Sequence, residues 1–143
     1  MSISKASAQW DGTLKAGKGV MKPGHAADVP FTLGSRFEGT PGSNPEELLG
    51  AALAGCFSMA LSLSLEMAGA PPKAIRTAAT VKLDKDGPGF TITAIDLVTE
   101  ASVPGIDDAK FQAVAEATKK GCPVSKALAS VGSITLKATL SPS

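Results

Sequence analysis

The 143-residue sequence contains no tyrosine, a single tryptophan, a single histidine and only two cysteines. Each scarcity removes a class of chemistry. The lone histidine, His25, lies in KPGHAAD at 22–28, which reads as a surface loop. With no other imidazole, Cys–His and Ser–His–Asp hydrolase schemes have no general base, and no GxSxG nucleophile elbow is present. One His and two Cys spaced 66 positions apart make neither a zinc ligand set nor a CxxC motif. The stretch Asp84-Lys85-Asp86-Gly87-Pro88-Gly89 imitates the start of a calcium loop, but the position of the required glutamate falls on Ile95. No metal and no cofactor are therefore expected. Few aromatics and a net charge of +1 give no platform or field for nucleic acid. The opening MSISKASAQWDG has no apolar core of a secretion leader, so the expected location is the cytoplasm, where thiols are kept reduced.

What the sequence does have is one long uncharged run. Eighteen residues, 48–65, separate Glu47 from Glu66, with Cys56 at their middle. Asn44 as N-cap, Pro45 at the first helical position and Glu47 three residues after the cap predict a helix start. Gly69 predicts its end. About 18–20 apolar residues suffice to span a bilayer. However, Ser58, Ser62 and Ser64 interrupt the run and its flanks carry Glu rather than Lys or Arg. A buried central helix is expected, not a membrane span.

Around that helix the chain reads as one domain, 1–143, with apolar content of 43% and charged content of 19%. Ala6–Trp10 and Thr13–Lys15 flank Asp11-Gly12, a hairpin signal. Gly17-Lys18-Gly19 reads as a flexible turn, and Val29–Leu33 as a short strand. After Pro71-Pro72, residues 75–83 and 90–103 form a predicted hairpin, with a bulge where the alternation shifts phase between Ile92 and Ile95. Asp107 caps a second helix over Asp108–Lys120, Cys122-Pro123 opens a shorter one, and residues 134–140 alternate as a last strand. This order, without regular βαβ units, predicts an α+β fold: antiparallel sheets packed on a long central helix.

The residues leave thiol chemistry without histidine. Burial raises a thiol's pKa, and Cys56 sits too far along its helix to feel the N-terminal amides. To act as a nucleophile it needs a permanent cation; Arg36, in Ser35-Arg36-Phe37-Glu38-Gly39, is the candidate, with Glu46 or Glu47 to balance it. Cys122, followed by Pro123, stands at a helix start that favours a thiolate. Two buried structural thiols are the competing reading.

Assembled, SRFEG at 35–39, NPEELLGAALAGCFSMALS at 44–62, VPGID at 103–107 and GCPVSKAL at 121–128 resemble the OsmC/Ohr family of thiol-dependent hydroperoxide reductases, in its osmotically inducible protein C branch. The resemblance implies an intertwined α+β homodimer with active sites at the subunit interface. It implies Cys56 as the peroxidatic thiol, Cys122 as the resolving thiol, and Arg36 and Glu46 as polar partners. It also implies organic hydroperoxides as substrates, a Cys56–Cys122 disulfide intermediate, and an external dithiol, such as a lipoylated protein, as reductant. Ten residues of straight helix place the Cα atoms of Glu46 and Cys56 about 15 Å apart. Glu46 is therefore expected to serve the partner subunit's site, with Gly50, Ala51, Ala54 and Gly55 letting paired helices approach. A non-enzymatic module binding an apolar ligand or a protein at the same interface is the alternative.

Overall fold

The computed structural model describes residues 1–142, which form two compact units divided after Leu48. In the first, strands β1 (Ala6–Asp11), β2 (Lys18–Pro23) and β3 (Val29–Phe31) make an antiparallel sheet in that order. The two-residue hairpin expected at Asp11-Gly12 is instead a longer loop over 12–17, and Thr13–Lys15 is not a strand. Thr13 explains the difference. Its carbonyl accepts from Gly17 N–H and from the Trp10 indole, and its hydroxyl accepts from Ala16 N–H, so the loop is tied to one residue. Nor is Gly19 part of a flexible turn. It sits inside β2 beneath the Trp10 and Phe31 rings, and a Cβ there would lie 2.5 Å from Phe31. Helix α1 (Leu33–Phe37) follows, with Thr32 and Ser35 forming a reciprocal capping box.

Helix α2 (Pro45–Met67) begins as expected: Asn44 Oδ1 accepts from Glu47 N–H at 2.9 Å, and Asn44 Nδ2 donates to the Glu47 carboxylate. Gly69 follows its end with φ +82°.

From Leu49 onward the second unit packs α2 and α3 (Asp108–Gly121) on a sheet ordered β4 (Ala74–Asp86), β5 (Gly89–Ser102), β6 (Ser133–Leu140). Leu53, Phe57, Leu61 and Leu65, spaced four apart, are wholly buried on one stripe of α2. They join Ile95, Leu97 and Phe111 in one core. By length and composition alone α2 could cross a membrane, but that stripe makes it a core helix. The few polar groups beneath it are paired: Ser58 Oγ donates to Thr77, whose hydroxyl bonds to the fully buried Thr99. Replacing Leu61 with Ala is expected to cost about 2–5 kcal/mol, read as a lower denaturant midpoint; an unchanged midpoint would mean the stripe is not seated in the core.

The β4–β5 hairpin turns at Gly87-Pro88, and its register slips by one residue at Thr93, inside the segment expected to bulge. One expectation fails. β6 pairs with β5 in parallel, so the second sheet is mixed rather than purely antiparallel. The crossover from Val103 to Gly132, through α3 and the short helix α4 (Pro123–Ala127), is long enough to return the chain in the same direction.

Candidate active site

Cys56 lies on the flank of α2, one position before the buried Phe57, and is half-buried. Cys122 occupies a junction: its N–H closes α3 onto Thr118 O at 2.9 Å, and its backbone serves as N-cap of α4, with Pro123 fixing the first turn. This turn of chain carries the second sulfur to the first. The two Sγ atoms are 2.8 Å apart, both thiols are free, and only 1% of Cys122 is exposed.

The pair does not titrate symmetrically. Burial pushes the Cys56 thiol up, and its contact with Cys122 pushes it further. Burial also opposes ionisation of Cys122. There, the Cys56 thiol and the backbone amides of Ser125 and Val124 outweigh it, with the Ser125 side chain close by, and the net direction is down. With both sulfurs protonated, Cys122 is placed to donate to Cys56.

In the first unit, Arg36 and Glu46 form a bidentate pair. Arg36 Nε donates to both carboxylate oxygens at 3.1 and 3.2 Å, and Nη2 donates to Oε1 at 2.5 Å. The choice left open between Glu46 and Glu47 is decided by the helix start: Glu47 is occupied by the Asn44 cap, while Glu46 is buried against Arg36. Ser35 fixes the approach, accepting from Thr32 N–H and donating to Ser43 O at 2.6 Å. Arg36 also borders a cavity of about 450 Å³ in this unit, walled by Trp10, Leu14, Phe31, Leu33 and Phe37. Its guanidinium stands 5.3 Å from the Phe37 ring centroid.

The four residues singled out from the sequence thus fall into two pairs, Arg36–Glu46 and Cys56–Cys122, one in each unit. Sequence reasoning missed Ser35 and Ser125. Both stand three residues after a helix-capping residue, Thr32 and Cys122, the spacing at which a side chain meets its own cap. No cluster of three or more potential metal ligands occurs among the described residues.

Residues 37–137 match the family model described as OsmC-like protein. The chain belongs to the OsmC-like family. It is 50% identical over 126 residues to the Peroxiredoxin OsmC of Escherichia coli, covering 87% of this chain and 88% of that one. The OsmC-type fold extends to the organic hydroperoxide resistance protein OhrB of Bacillus subtilis, at TM-score 0.68 and 27% identity, over 96% of this chain and 98% of that one. It extends also to an organic hydroperoxide resistance protein OsmC of Legionella pneumophila, at TM-score 0.73 and 18% identity, over 99% and 100%. The expected fold class is thereby met, with the parallel β6 as its one amendment.

Proposed function

We propose that this OsmC-family chain is a thiol peroxidase that reduces organic hydroperoxides through Cys56 and Cys122. The observation that carries the reading is the pair of free sulfurs 2.8 Å apart, one on the long apolar helix α2 and one at the start of α4. A Cys56 thiolate attacks the terminal oxygen of ROOH. The O–O bond breaks, its electron pair leaves with the alkoxide, which takes a proton to become ROH, and Cys56 becomes a sulfenic acid. Cys122 then attacks that sulfur, expelling water and closing a disulfide. An external dithiol, a lipoylated protein being one of that class, returns both sulfurs to thiols. Two free thiols in contact suit a reducing compartment such as the cytoplasm.

Arg36 supplies the positive charge that Cys56 lacks. Within its own chain Cys56 is driven toward the neutral thiol, and Arg36 is bound to Glu46, ten residues back along one continuous helix. At 1.5 Å per residue that is about 15 Å between Cα atoms. The Arg36–Glu46 pair therefore serves the Cys56 of a partner subunit in a homodimer. Of the small residues expected to line the contact, Gly50 does not: it faces Val81 and Ala79 of β4. Gly55, one of those expected, stands on the exposed face of α2 with Met59, Leu63 and Met67, whose side chains are 76%, 58% and 80% exposed. Leu63→Glu combined with Met59→Glu is expected to yield a monomer in sedimentation and to abolish peroxidase turnover; an active monomer would refute the shared site.

The apolar cavity beside Arg36 suits the alkyl or aryl group of an organic hydroperoxide, with the guanidinium at its peroxide end. Steady-state consumption of cumene hydroperoxide with dihydrolipoamide tests the function. Turnover that needs the dithiol and exceeds that of hydrogen peroxide supports it, and no turnover overturns it.

A further inference from the structure

Ser125 is buried, with 8% of its surface exposed, and its hydroxyl has no hydrogen-bond partner with thiol geometry as it stands. An unpaired buried hydroxyl is costly, and a native structure keeps few of them. It stands three residues after Cys122, at the third position of α4, on the side of the Cys122 sulfur. The two sulfurs also differ in access: Cys56 is half-buried, Cys122 almost fully enclosed. A groove of about 370 Å³ between α2 and α3, bordered by Leu63, Val114 and Thr118, ends on Cys122 while leaving only 1% of it exposed.

Building on the peroxidase reading above, we propose that the reducing dithiol attacks Cys56 of the disulfide, not Cys122, and that Ser125 is the donor that receives the charge on the departing Cys122 sulfur. The external thiolate forms a new S–S bond to Cys56 Sγ. The Cys56–Cys122 bond breaks, and its electron pair goes to Cys122 Sγ, which leaves as a thiolate hydrogen-bonded by the Ser125 hydroxyl. The second thiol of the reductant then displaces Cys56 from the mixed disulfide. The reductant ends as a disulfide, and both protein sulfurs have gained their electrons and, from the dithiol, their protons. Thiol–disulfide exchange runs fastest when the better-stabilised thiolate leaves and the accessible sulfur is attacked. Both conditions select the same direction: Cys56 is the more accessible sulfur, and the backbone amides of Ser125 and Val124, which remain beside Cys122 in the disulfide, favour its thiolate. A donor without a partner in the dithiol state is thereby explained: its partner is a charge that exists during the exchange.

The test starts from wild-type protein oxidised with diamide, so that it does not depend on peroxide. The disulfide is reacted briefly with N-acetylcysteine, quenched in acid and alkylated, and the peptides are identified by mass spectrometry. The expected result is the N-acetylcysteine adduct on Cys56 and the alkyl group on Cys122. An adduct on Cys122, an even distribution, or no disulfide to reduce would overturn the proposal. Ser125→Ala is expected to slow reduction by dithiothreitol roughly fivefold to tenfold while leaving the denaturation midpoint unchanged or raised, since it removes a hydroxyl that had no partner. Ser125→Thr, which keeps the hydroxyl, is expected to recover most of the rate. A purely structural serine would move the midpoint and not the rate, and wild-type kinetics in Ser125→Ala would contradict the role. If Ser125→Ala does not fold, the adduct position in wild type still decides. Failure of hydroperoxide turnover in the separate steady-state assay would count against the peroxidase reading alone.

Discussion

Cys56→Ser is expected to abolish turnover of organic hydroperoxides, a loss of roughly three orders of magnitude or more, as deletion of a covalent nucleophile commonly brings. The size of the effect follows from the residues that remain. The chain has one histidine and no further cysteine besides Cys122, and Cys122 is enclosed with 1% of its surface exposed. Its surroundings push its thiol pKa down, but acidity does not replace access to a peroxide. The measurement is hydroperoxide consumed per minute with a dithiol in excess. Retention of a tenth or more of the wild-type rate, a level no uncatalysed thiol would sustain, would move the peroxidatic role to Cys122. Serine in place of Cys56 is nearly isosteric and half-exposed, so the variant is expected to fold and the loss to report chemistry.

The second large effect is expected at Arg36. Arg36→Met removes the one cation assigned to the thiolate and to the oxygens on which charge develops, and should lower kcat/KM roughly a hundredfold to a thousandfold. Arg36→Lys keeps the charge but loses the fork that binds both oxygens of Glu46, and is expected to recover only part of that loss. Glu46→Gln leaves the guanidinium in place but loosely held, for an effect of about tenfold. The assignment to a partner subunit gives a sharper test. Cys56→Ser and Arg36→Met proteins are each expected to show about 1% or less of wild-type activity alone. After equal mixing and subunit exchange, half the dimers are mixed, and each holds one complete site only if Arg36 acts across the interface. About a quarter of wild-type activity is then expected. No recovery would place Arg36 and Cys56 of one chain in one site.

Much of this was legible in local signals, because local physics fixes it. Helix α2 carries its own start in Asn44, Pro45 and Glu47 and its own stop in Gly69. The hairpin of β4 and β5 carries its bulge as a break in alternation, found at Thr93. What escaped was set by partners distant in sequence. Strand β6 alternates as cleanly in a parallel pairing as in an antiparallel one, so pattern alone does not give its direction. The five-residue α1 is too short to show periodicity, and its capping box uses Ser35 where Glu or Gln would have announced it. The first hairpin signal, Asp-Gly, was overridden by Thr13, which gathers three hydrogen bonds and lengthens the loop. At the site, the residue types were readable before their pairing was. Glu46 and Glu47 are adjacent and alike, and only the cap at Asn44 separates their roles. Gly50 looked like a contact for a second helix and is instead where α2 rests on β4.

The central claim is that Cys56 is oxidised first and Cys122 resolves it. One equivalent of cumene hydroperoxide, added to Cys122→Ser and to Cys56→Ser protein and followed by dimedone capture and peptide mass spectrometry, tests it most directly. The account predicts a dimedone adduct on Cys56 in Cys122→Ser, formed as fast as the wild-type disulfide, and no comparable adduct on Cys122 in Cys56→Ser. An adduct that forms first and fastest on Cys122 would contradict it.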